Sequence, residues 1–194
     1  MPALRKHTIL VGAETGGANL IAASKRAREE SSLVTAMFSL IFGRGTSDHT
    51  ALVSAGVASV FFTDANNGCY HTVKDDITTV DFPKLEQQIR VAKALTRGLV
   101  VTDDVPILNA AAPVSAYEDA EQMLRIVEAA QPDFGRFSPE EKITAEQFLV
   151  NLQAIVAAGS EAYDAAATGT VLRGSALLVA TLRTLECNPF LAED

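Results

Sequence analysis

Apolar positions in the first eighty residues come in short runs separated by glycine-rich or polar punctuation. The run Thr8-Ile9-Leu10-Val11 is β-branched, ends at Gly12 and is followed by the Gly16-Gly17 turn, which predicts a buried strand. Ala18 to Glu30 sets Leu20, Ile21, Ala23 and Ala27 against Lys25, Arg26, Arg28, Glu29 and Glu30, a helix with a polar outer face. Leu33 to Phe42 fits strand or helix by periodicity, and its place between a helix and the Gly43-Arg44-Gly45 loop predicts strand. Asp48 to Ala55 fits a short helix ended by Gly56, and Val57 to Phe62 is the clearest strand pattern. Thr63 to Thr79 is then loop, with Asn66-Asn67-Gly68 as turn chemistry. Strands alternating with helices imply a partial, mostly parallel α/β sheet with flanking helices, whose functional residues gather in loops past the strand ends.

Beyond Asp81-Phe82-Pro83 the pattern becomes helical. Lys84 to Leu99 and Ala116 to Ala130 each read as one helix. Ser138-Pro139-Glu140-Glu141 combines a serine N-cap, proline at the first helical position and a capping-box glutamate, opening a helix expected to run toward Ala166. Thr170 to Leu185 is a further, unusually apolar helix (Val171, Leu172, Leu177, Leu178, Val179, Leu182), expected to be core more often than an oligomer contact. The Pro106 to Pro113 stretch is the expected boundary, dividing the chain into an α/β portion at 1–104 and an all-helical portion at 105–194.

At 194 residues with 48% hydrophobic content the chain can build an ample core. Its net charge of −8 argues against nucleic acid or an anionic membrane as the main partner. No apolar run approaches the roughly twenty residues of a membrane span, and Met1 to Lys6 lacks the apolar core of a signal peptide, so a cytoplasmic location is the mild expectation. Two cysteines, Cys69 and Cys187, lie too far apart to suggest a disulfide framework, and free thiols are expected. Gly12 to Gly17 follows a strand as a phosphate loop would, but the Gly-Lys-Ser/Thr ending and the dinucleotide fingerprint are both absent.

The segment from Gly45-Thr46-Ser47-Asp48-His49 through Ala55-Gly56-Val57 to Phe62 resembles the Ser-Asp-His, apolar helix, Ala-Gly-Ile-Pro, strand segment of the di-zinc aminopeptidase family. Cys69-Tyr70-His71-Thr72 through Asp81 is similar to that family's closing Tyr-His-Thr-Pro loop, with Val73 in place of the proline. The resemblance covers roughly residues 7 to 100 and implies the C-terminal half of a zinc-exopeptidase fold. It implies that His71 ligates one of two zinc ions and that Tyr70 donates its phenol to the oxyanion of the tetrahedral intermediate. Asp48 would be a carboxylate near the metal or facing substrate, and His49 a structural neighbour. Arg44 lies near the family's substrate-binding arginine, but Gly45-Thr46 interrupts the match. The substrate implied is a peptide with a free N-terminus, or a small amide analogue.

The residues also carry plainer readings. Asp48 stands where an N-cap would, His71 could be a hydrogen-bonded loop histidine, and Asp75 and Asp81 suit turn and N-cap positions. A two-zinc site needs several protein ligands, and the chain has only His7, His49 and His71 as histidines, with no His-x-Asp pair. The chain by itself is therefore expected to bind metal negligibly and to be inactive, as a truncation, a fragment or one half of a two-chain enzyme with a complementing N-terminal half. The alternatives are a noncatalytic assembly domain with a vestigial half-site, forming a homo-oligomer, or a relative of the glutaminyl cyclases. Tyr70 favours the peptidases over the cyclases, which tend to carry tryptophan there.

Overall fold

A computed structural model describes residues 1–43, 45, 47–64 and 69–182. Arg44, the Asn66-Asn67-Gly68 turn, Cys187 and the expected helix end at Leu185 lie outside the described residues. The chain divides into two compact units, one formed by Lys6–Thr63 with Phe82–Ser115, the other by the described residues of Met1–Arg5, Asp64–Asp81 and Ala116–Asp194.

In the first unit β1 (His7–Val11) is the middle strand of a three-stranded sheet, between β2 (Val34–Phe38) and β3 (Phe61–Thr63). β1 pairs with β2 in parallel, from His7 opposite Val34 to Val11 opposite Phe38. It pairs with β3 antiparallel, with Val11 opposite Phe61 and Ile9 opposite Thr63. The sheet is thus mixed where a mostly parallel one is expected. The β1-to-β2 crossover contains α1 (Gly17–Ala27), whose length of about 16 Å matches a five-residue strand. The six-residue α2 (His49–Ser54), about 9 Å long, does not carry the chain back along the sheet, and β3 enters from the opposite direction.

Leu10 is fully buried against Leu20, Ala23 and Ala27 of α1 and Val91 and Leu95 of α3 (Phe82–Val100). Burying each large aliphatic side chain contributes about 1.5–3 kcal/mol before chain entropy is counted. Thr8 faces the same helices with its hydroxyl satisfied on both sides: it accepts from Gln88 Nε2 at 2.8 Å and donates to the Thr63 carbonyl at 3.4 Å. Val11 points to the other face, where it meets Gly43.

The expected strand at Val57 to Phe62 joins the ladder only at Phe61. The residues before it are held by a side chain instead. The buried Thr15 hydroxyl accepts from the Ser59 N–H at 3.0 Å and lies 2.7 Å from the Gly12 carbonyl and 3.1 Å from the Ser59 carbonyl. Gly12 permits this approach, because at φ +92° a Cβ there would sit 2.8 Å from the Ser59 carbonyl oxygen.

The second unit contains α4 (Tyr117–Ala130), α5 (Pro139–Ala158) and α6 (Ala165–Leu182). The Ser138 capping box is formed: its hydroxyl accepts from the Glu141 N–H, and the Glu141 carboxylate accepts from the Ser138 N–H at 3.0 Å. α5 does not run on to Ala166. It stops at Ala158 because Gly159 adopts φ +83° and turns the chain, and the Asp164 carboxylate then receives the first amides of α6 from Ala166 and Ala167, each at 2.9 Å. Of the apolar stripe on α6, Val171 is fully buried, whereas Leu177 is 52% exposed, so this face is not the core expected of it. Phe148 packs on Gly174, where any Cβ would collide with its ring.

Two outcomes follow from this packing. Thr15→Val leaves the Ser59 amide without its partner and should cost about 1–3 kcal/mol in a denaturant titration. An unchanged midpoint would contradict the role given to the hydroxyl. His7, with its Nδ1 buried and unpartnered, has its pKa held below the ordinary 6.5 by burial and by nearby Lys84. Because the unfolded chain then binds the proton more readily, stability is full above pH 6.5 and declines as the pH falls below it. His7→Gln should flatten that part of the stability profile.

Candidate functional site

The chemistry expected of Tyr70 and His71 depends on how four residues turn. The Cys69 carbonyl accepts the Thr72 N–H at 2.9 Å and the Thr72 hydroxyl at 2.7 Å, closing a turn with Tyr70 and His71 at its centre. The hydroxyl also accepts from the Lys74 N–H at 3.2 Å, so one threonine fixes both sides of the loop. Within it His71 takes φ +62°, the one non-glycine residue in the left-handed region among the described residues. This central position is one that tight turns normally give to glycine or asparagine. Histidine tolerates it better than most residues, yet the conformation costs about 1 kcal/mol.

The strained turn sets the two rings face to face, with centroids 3.8 Å apart and planes inclined by 19°. Both side chains are exposed, and the His71 ring makes no hydrogen bond to the described residues. Behind them Cys69 is completely buried and disulfide-bonded, which corrects the expectation of a free thiol there. A disulfide beside the turn restrains the segment that must hold the strained histidine. Val73, at the family's proline position, is fully exposed.

Downstream the acidic residues do local work. The Asp76 carboxylate accepts from the Thr78 hydroxyl at 2.6 Å and the Thr78 amide at 2.8 Å, and these bonds hold its pKa below the usual carboxylate value. Asp81 pairs with Arg5 at 3.8 Å, a half-exposed contact that adds little stability.

Asp48 belongs to the other unit, at the N-cap position of α2. It makes no side-chain cap bond, so the simple capping reading does not describe it, and its exposed carboxylate is free to meet a ligand. His49 is only 5% exposed, stacked on Phe61 at 4.7 Å with planes 5° apart, and neither ring nitrogen has a partner. The spacing of Ser-Asp-His along the chain gives no sign of this burial. Nor did it single out Thr72, although a threonine two residues after the tyrosine suits a hydroxyl-closed turn.

A zinc site takes about three or four protein ligands. His71 presents an exposed imidazole, and no group of three or more His, Cys, Asp or Glu comes together among the described residues.

Residues 6–96, slightly less than half of the chain, match the family model for Peptidase family M28. The match spans β1 to α3, including both the Asp48 and the Tyr70-His71 segments, and supports the M28 peptidase family and a hydrolase of the metallopeptidase type. No curated protein and no solved structure matches the chain.

The turn makes its own prediction. His71→Gly should fold at least as stably as the natural chain, whereas β-branched His71→Val should lose about 1–2 kcal/mol. The reverse order in thermal unfolding would contradict the strain assigned here.

Proposed function

We propose that the chain carries the closing part of a zinc-dependent aminopeptidase site. His71 would be one metal ligand and Tyr70 the oxyanion donor, with the remaining ligands supplied by other residues; Asp48, which belongs to the other unit, would be a substrate-facing carboxylate. The observation that carries this reading is the turn at Cys69–Thr72. It spends conformational energy to present an unengaged imidazole stacked on a tyrosine, inside a segment that matches Peptidase family M28. Solvent could satisfy a loop histidine without such strain.

Metal pairs in such hydrolases generate a nucleophile from water and polarise the scissile carbonyl. Tyr70 would contribute its phenol hydroxyl as a hydrogen-bond donor to the oxygen that gains charge as the carbonyl is attacked. Stacking on His71 holds that donor in one orientation, so little reorganisation is needed as charge develops. Asp48 makes no side-chain cap bond and leaves an exposed carboxylate, a group that pairs readily with a cation. The substrates proposed are peptides with free amino ends, the class that the resemblance implies.

The test is release of N-terminal residues from short peptides by the chain supplied with zinc and a polypeptide carrying the remaining ligands. His71→Asn, which suits the left-handed turn, should abolish turnover without unfolding the chain. Tyr70→Phe should lower kcat by about 10²–10³ with zinc content unchanged. Full activity in either variant would contradict the assigned roles.

A further inference from the structure

The helical unit contains a second feature that the peptidase reading leaves unused. Between α5 and α6 lies a half-open cavity of about 440 Å³, within the range of small-ligand pockets. On α6 it is lined by Thr170, Arg173, Gly174, Leu177, Leu178 and Thr181, a single stripe at helical spacing that extends about 16 Å. The short connection through Gly159 makes the two helices antiparallel neighbours, and Phe148 and Gly174 sit at matching distances from it.

The polarity of the cavity changes along this axis. Toward the connection are Arg173, Thr170 and Asn151. Arg173 lies back along α6 toward Gly169 and forms no ion pair among the described residues. Asn151 uses its carbonyl oxygen to accept from Gln147 Nε2 at 3.1 Å, which leaves its amide hydrogens available as donors. The middle is apolar, made by Phe148, Leu177 and Leu178, and its depth depends on Gly174, which has no Cβ to displace the Phe148 ring. Glu141 and Thr144 stand at the far end, where the Glu141 carboxylate is bound to Ser138.

We propose that this groove binds a medium-chain aliphatic monocarboxylate. The carboxylate meets Arg173 and the Asn151 amide, and the hydrocarbon chain lies over Phe148, Leu177 and Leu178. An unpaired guanidinium in a chain of net charge −8 selects an anionic head group. The apolar middle selects a hydrocarbon tail, and Glu141 at the far end rejects a second carboxylate by repulsion. Neither the peptidase residues nor their metal take part in this site.

Octanoate titrated into the full chain tests the proposal, monitored by calorimetry and by the side-chain amide resonances of Asn151 and Gln147. Saturable binding is expected, weakened at least about tenfold in Arg173→Gln and also weakened in Leu177→Asn. Both positions are exposed, so circular dichroism should be unchanged in the variants. Octanedioate and octanamide should each bind at least about tenfold more weakly than octanoate. Absence of binding, equal affinity for octanedioate, or octanoate affinity unaffected by Arg173→Gln would overturn it.

Discussion

Strand β1 has to be covered on both edges and both faces at once, and the sheet unit is organised by that requirement. Leu10 and Val11 point to opposite sides and are both almost fully buried, so helices α1 and α3 must close one face while the Gly43 and Phe61 region closes the other. The two neighbouring strands satisfy the backbone of β1 on either edge. At its C-terminal end Gly12 lets the Ser59 backbone approach, and the Thr15 hydroxyl joins the two. The loop leading to Asp48 leaves from the same end of the sheet, after Phe38 of the parallel neighbour β2. The stacking of His49 on Phe61 ties α2 to β3.

The Tyr70-His71 turn is organised on a different principle. Its order comes from hydrogen bonds to a single carbonyl, a buried disulfide-bonded cysteine behind it and one residue held in a disfavoured conformation. Strain of this kind persists only where the surroundings over-determine it, and it concentrates at functional sites. The strained residue lies inside the segment, residues 6–96, that matches the family model for Peptidase family M28.

Local signals in the sequence were readable where the structure is itself local. The β1 run, the amphipathic α1 and the Ser138 capping box each depend on residues within a few positions of one another. The extent of β3 was not readable, since a hydroxyl 44 residues away takes the place of ladder bonds over Ser59. Strand direction was hidden as well, because periodicity carries no sign of polarity and only the short α2 hints at it. Tyr70, His71 and Asp48 were legible through resemblance, while the left-handed turn was not, as nothing in a Tyr-His-Thr triplet demands a positive φ. The bond at Cys69 escaped detection because cysteine pairing depends on approach in space rather than on separation in sequence.

The same division explains why the α5–α6 groove carries no sequence signature. It arises from the meeting of Phe148 with Gly174 across two helices, and each residue alone is unremarked. The central claim, however, concerns the imidazole at His71, and nitrogen NMR of its ring in the assembled enzyme tests it most directly. On addition of zinc, one ring nitrogen of His71 should move to the shift of a metal-bound imidazole while His7 and His49 stay unchanged. A His71 ring indifferent to zinc, in an enzyme that nevertheless binds the metal and cleaves peptides, would contradict the account.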